Sequence, residues 1–156
     1  MLAVLGLVLF SGKSRNPGAS SDLAALRAVV QLPSAFTAGR WEIFGTPEHT
    51  GGAPGPTDYL TLVAELRIAP GDWRRLEAAD GGKSFVAPEA ARAWLSTPYR
   101  TLLAKHKGAE FELQSGQDCR AWSSKVVKSG RPVSGFTCLN GDHALVYLTL
   151  MASGAS

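Results

Sequence analysis

The sequence predicts a small α+β domain: a single antiparallel sheet of four to six strands with helices packed on one face. Three observations carry that expectation. Residues 59–69 alternate without a break, with Leu60, Leu62, Ala64, Leu66 and Ile68 on one side and Tyr59, Thr61, Val63, Glu65 and Arg67 on the other. A period of two is that of a half-buried strand. Residues 119–139 read as a hairpin around a turn at 128–132. Residues 144–152 form the most apolar strand, interrupted only by Tyr147 and Thr149, and apolar faces on both sides place a strand centrally. A chain of 156 residues with 45% apolar content suits one domain with a substantial core.

At the N-terminus, residues 2–10 form an unbroken apolar run. As a helix it covers about 14 Å, roughly half of a bilayer core, so it does not span by itself. Residues 1–20 are read as a signal-like or membrane-anchor-like segment, because the run matches the apolar region of a secretory signal and Gly18, Ala19 and Ser20 are small enough for cleavage. Lys13 and Arg15 follow the run instead of preceding it, which favours the alternative of a buried first strand. Gly12, Lys13 and Ser14 imitate the end of a phosphate-binding loop, but the required first glycine falls on Leu7. No nucleotide site is expected there.

Residues 21–152 are read as the globular domain. Ser21 caps a short helix to about Gln31, with Leu23, Leu26 and Val30 on one face and Pro33 as its stop. Residues 40–44 have strand chemistry, with Trp41 and Ile43 opposite Glu42 and Phe44. The stretch 45–57 contains four glycines and three prolines and reads as a long loop. Loops of that length without structure are uncommon in compact domains and are often functional. This one carries Glu48, His49 and Thr50. Pro70 and Gly71 end the alternating strand, and Asp72 caps a short helix that buries Trp73 and Leu76, closed by Asp80, Gly81 and Gly82.

The main helical segment is 88–106, divided where Thr97 caps a second helix opened by Pro98. Trp94, Leu95, Tyr99, Leu102 and Leu103 are expected to face inward. Lys105, His106 and Lys107 suit the negative end of the helix dipole and Gly108 its C-terminal cap. Residues 110–113 form a short strand. Asn140 and Gly141 are a favoured tight-turn pair, so the last strand runs antiparallel to its predecessor. Residues 153–156 are a tail.

The two cysteines, Cys119 and Cys138, flank the hairpin turn almost symmetrically. A turn centred between Lys128 and Ser129 sets them directly opposite; one centred on Ser129 and Gly130 offsets them by two positions. Register decides between a disulfide and two buried thiols; with the export-like segment upstream, a Cys119–Cys138 disulfide is expected. The spacing matches neither a zinc pattern nor a C-x-x-C redox motif.

Catalytic signatures are sparse. His49, His106 and His143 show none of the metal-ligand spacings, and Ser134 has Pro132 in place of the first glycine of a nucleophile elbow. Glu48 and His49 could converge with Asp142 and His143 if the long loop meets the last turn. Arg120, Lys125, Lys128 and Arg131, with Trp122 among them, make the hairpin the most basic surface. A solvated edge guarded by cations explains them without nucleic acid. The net charge of +3 falls to 14 basic against 13 acidic side chains once Lys13 and Arg15 are set aside, so nucleic acid is not expected as a partner.

These features point to an exported domain, periplasmic or anchored to the envelope, that binds a protein or small ligand through Glu48, His49, Thr50, Asp142 and His143 and the hairpin turn. No catalytic residue, metal or cofactor is assigned, and contact with a membrane is expected only through the N-terminal segment. The alternatives are a small hydrolytic or metal-dependent enzyme using His49 and His143, and a cytosolic interaction protein.

Overall fold

Strands as apolar as residues 60–68 and 144–150 need cover on both sides, and the chain supplies two layers to provide it. The computed structural model describes residues 18–46, 59–79, 81–113 and 118–152. In chain order the described elements are α1 (Leu23–Val29), β1 (Ala38–Thr46), β2 (Tyr59–Arg67), α2 (Pro70–Arg75), β3 (Lys83–Val86), α3 (Thr97–Lys105), β4 (Ala109–Glu112), β5 (Cys119–Lys125), β6 (Pro132–Asn140) and β7 (His143–Ala152). Five strands form one sheet in the order β1-β2-β7-β6-β5, and β3 pairs with β4 in a small second sheet. Every pairing is antiparallel.

The α+β class and the central last strand are as the sequence predicts. The cover is more extensive. On one face Leu62, Ala64, Leu66, Val146 and Leu148 pack with Leu26 of α1, Trp73 of α2, and Val30 and Phe36 of the loop between α1 and β1. On the other, Val63, Phe136, Leu145 and Tyr147 pack with Tyr99 and Leu103 of α3, Val86 of β3 and Phe111 of β4. Thus β2 is buried on both faces, although its sequence has the alternation of a half-buried strand: Thr61 and Val63, on its more polar side, are fully covered. Leu145, Tyr147 and Leu148 of β7 are completely inaccessible, and burying each such side chain is worth about 2 kcal/mol.

Several local assignments change. Asp22, not Ser21, caps α1, accepting the Ala25 N–H at 3.0 Å. Pro70 opens α2, its missing N–H costing nothing in a first turn; Asp72 is no cap but sits in that turn, paired with Arg75 at 2.7 Å. Residues 88–96 are turns instead of a helix, held by side chains that reach back to β1. Ser96, not Thr97, occupies the N-cap position of α3 and makes no side-chain cap bond. Residues 83–86, assigned to no element from sequence, form β3. Asn140 pairs with His143, so the two-residue turn is Gly141 and Asp142, with Gly141 at φ +65°. Ser20 exchanges both backbone bonds with Trp41 (2.8 and 2.9 Å) and already belongs to the folded body. Residues 1–17 of the signal-like segment and the C-terminal tail lie outside the described residues. Among the described residues, no helix is long and apolar enough to cross a membrane.

Gly135 lies opposite Trp122 on one side and Leu148 on the other. A Cβ at this position collides with the Tyr147 carbonyl of β7, so only glycine lets β6 approach its central neighbour so closely. Gly135→Ala is therefore expected to cost about 2–3 kcal/mol in urea unfolding, while the exposed neighbour Ser134→Ala stays within about 0.5 kcal/mol. Equal, small effects at both positions would contradict the close approach.

Candidate functional site

The hairpin of β5 and β6 is built on one register. Cys119 faces Cys138, and the pairing runs without a slip to Lys125 opposite Pro132, which centres the turn between Lys128 and Ser129. The two Cα atoms are 3.9 Å apart and the sulfurs lie at disulfide distance. Asp118 accepts from the Leu139 N–H (2.7 Å) and Val126 donates to Arg131 (2.9 Å), so even-numbered residues of β5 turn their backbone groups toward β6. The cysteines thus occupy a non-hydrogen-bonded pair, the closer kind of antiparallel pair.

Odd-numbered residues of β5 turn outward, because β5 is the edge strand. Two pieces of the chain use that edge. Gln31 donates to the Lys125 carbonyl and Val127 to Val29, each at 2.9 Å, and Ala79 donates to the Ala121 carbonyl at 3.0 Å. Between them lies Ser123, whose outward N–H and C=O make no hydrogen bond among the described residues. A groove of about 550 Å³ opens there, lined by Leu32, Pro33, Leu76, Glu77, Trp122 and Ser123 among others.

Trp122 forms part of this groove. Three of the four tryptophans satisfy their indole N–H internally: Trp41 on the Asp22 carbonyl (2.9 Å), Trp73 on the Thr137 hydroxyl (3.1 Å) and Trp94 on the Glu42 carboxylate (2.7 Å). Trp122, only 4% exposed and edge-on to Phe36, makes no such bond among the described residues. Sequence alone did not single out the groove. Its walls come from three separated segments, and the alternation of β5 offers no sign of which outward residue is left unpaired.

The basic surface predicted for the hairpin is narrower than expected. Arg120 donates to the Trp73 carbonyl and stacks over that ring at 4.5 Å, and burial lowers the pKa of its guanidinium. Arg131 donates to the Leu150 carbonyl at 2.7 Å. Lys125 and Lys128 remain exposed.

Of the residues expected to converge with the last turn, Glu48, His49 and Thr50 lie outside the described residues. Asp142 and His143 sit together: Asp142 accepts from Arg67 at 2.6 Å through Oδ2, and its Oδ1 lies 3.2 Å from His143 Nδ1. His143 borders a cleft of about 230 Å³ with Arg40, Glu65 and Ser96. Much of the cleft's polarity is spent on structure. Glu65 accepts the Ser96 N–H (2.9 Å) and Arg40 donates to the Trp94 carbonyl (3.1 Å). The carboxylate can orient the imidazole, but no hydrogen bond joins the imidazole to the Ser96 hydroxyl among the described residues. Nor do the described residues contain a group of three His, Cys, Asp or Glu side chains placed to hold a metal ion.

Next to this cleft, residues 87–96 are fastened to β1 by a buried ion pair. Arg92 grips Glu42 with two bonds, of 3.0 and 2.9 Å, with the side chains 11% and 9% exposed, and its guanidinium lies 4.7 Å from the Phe44 ring centre. Thr46 donates to Glu89 at 2.9 Å.

Two tyrosines lock the same layer to the sheet. Tyr99 O–H is shared between the carbonyls of His143 (2.8 Å) and Cys138 (3.2 Å), while Tyr147 accepts the Ala87 N–H at 2.8 Å. Burial drives both phenols above their ordinary value, and the negative charge of Glu65 adds to the shift at Tyr99. Above about pH 10 the unfolded chain releases these protons while the folded chain retains them. Stability should therefore be unaffected below pH 10 and fall as pH rises toward the folded values, by up to about 1.4 kcal/mol per pH unit for each tyrosine. Alkaline titration monitored by circular dichroism and tyrosinate absorbance should show these two phenolates forming only as structure is lost. Their titration near pH 10 in an intact fold would contradict the packing. Comparison of this chain with protein-family models, with curated proteins and with solved structures finds no match.

Proposed function

We propose that this chain is an exported, disulfide-clasped domain without catalytic function that binds a protein or small ligand, and that its site is the groove at the outer edge of β5. The observation that carries this reading is Trp122, which lines the groove almost fully buried with its indole N–H unbonded among the described residues. The Trp122 indole N–H is not one of the fully buried unpaired polar atoms among the described residues, so it is reachable from the groove and free to donate to an acceptor on a ligand. In this reading the contact surface is the edge of the hairpin instead of its turn.

Export has two supports of its own. The cysteine pair is compatible with an oxidising compartment, and the apolar run at residues 2–10 suits a secretory signal. Alkylation and mass measurement of the protein recovered from its native host test this part. Export predicts no free thiol before reduction and a mass lacking the N-terminal segment. Two alkylated cysteines on a chain with an intact N-terminus would overturn it.

A further inference from the structure

We propose that the groove reads the main chain of an extended peptide, which pairs antiparallel with Ser123 as a short additional strand; this rests on the binding function proposed above and names its ligand class. The hydrogen-bond direction along β5 defines the site. Ala121, Ser123 and Lys125 all present backbone groups outward, and the carbonyls of the first and last are taken by Ala79 and Gln31. The intervening Ser123 offers one donor and one acceptor side by side, the arrangement that a single residue of an antiparallel strand satisfies with two bonds. The chain itself already pairs in this way on the same edge, where Val30 bridges Val126. A ligand that continues the pairing extends an existing pattern, the mode of strand addition to a sheet edge.

The gap also limits the ligand. From Ala121 to Lys125 the strand advances about 13 Å, at roughly 3.3 Å per residue, room for some three extended residues. Side chains opposite each other in an antiparallel pair share a face. The ligand residue opposite Ser123 therefore points to the exposed side with that serine. Its two neighbours point to the side of Trp122, where Leu32 and Leu76 also line the groove. One charged side chain, Glu77, is among the lining residues, and it disfavours acidic neighbours. The expected ligand is an extended segment with an apolar, polar, apolar sequence, and its carbonyls are the acceptors available to the Trp122 indole.

The test uses the full chain, labelled with nitrogen-15 and with its disulfide intact, titrated with acetyl-Val-Thr-Val-amide. Saturable shifts are expected at the Ser123 amide and the Trp122 indole N–H. Methylating the threonine nitrogen of the peptide removes the donor to Ser123 and should weaken binding about tenfold. On the protein side, Ser123→Pro removes the outward donor at an edge position that tolerates proline and should weaken binding similarly, whereas Ser123→Ala should bind as the native chain does. Should the proline variant fail to fold, the methylated peptide still decides. Equal affinity for the two peptides, with shifts in the groove, overturns main-chain recognition but leaves the groove a binding site. No shift at Ser123 or Trp122 with either peptide overturns both.

Discussion

The fold depends on covering both faces of β7. This strand occupies the middle of the five-stranded sheet, and its residues 144–148 and 150 are all buried. A strand like that forces two layers on a short chain. The first is compact and made of α1, α2 and the loop before β1. The second has little regular structure: α3, the β3–β4 hairpin and the turns of 88–96. With so few repeating backbone bonds, the second layer is held by side chains. Tyr99 and Tyr147 bond to main-chain groups across the interface, and Arg92 binds Glu42. The phenols are secure because they stay neutral. The ion pair is costly to bury and damaging to break, which makes it better at fixing where the turns lie than at adding stability.

The cysteines do comparable work at the far edge. At disulfide distance across a non-hydrogen-bonded pair, they sit where a bond would fix the register of β5 against β6. Register in turn sets which backbone groups of β5 face inward. A slip by one residue would exchange the two faces of the strand, moving Trp122 off the groove side and putting Ser123 in its place. The unpaired main-chain groups at Ser123 are thus a consequence of where the cysteines sit. On each side of that residue a segment of the chain bonds to the edge, Ala79 to the Ala121 carbonyl and Gln31 to the Lys125 carbonyl, whereas neither backbone group of Ser123 is bonded among the described residues.

Much of this was legible in the sequence because it is local. The alternation of 60–68, the turn between the cysteines and the apolar last strand each follow from period and spacing. Errors arose where side chains override local pattern. Residues 88–96 resemble a helix in composition, but Arg92 and Trp94 both reach Glu42, a contact made across the fold. The four-residue strand β3 has too little length to show a period and exists because β4 pairs with it. Pro70 read as a stop for β2, whereas it is equally suited to open the next helix. Asp142 and His143 proved to be neighbours in space as well as in sequence, and Glu48, His49 and Thr50 lie outside the described residues. The groove escaped notice because its walls meet only after folding.

The central claim is that the outer edge of β5 is open at Ser123, between the engaged carbonyls of Ala121 and Lys125. Native-state hydrogen exchange of individual amides tests it most directly. The Ser123 amide should exchange at least about tenfold faster than those of Trp122 and Ser124, which bond inward to β6. Protection at Ser123 equal to that of its two neighbours would mean that the edge is already filled, and would contradict the account.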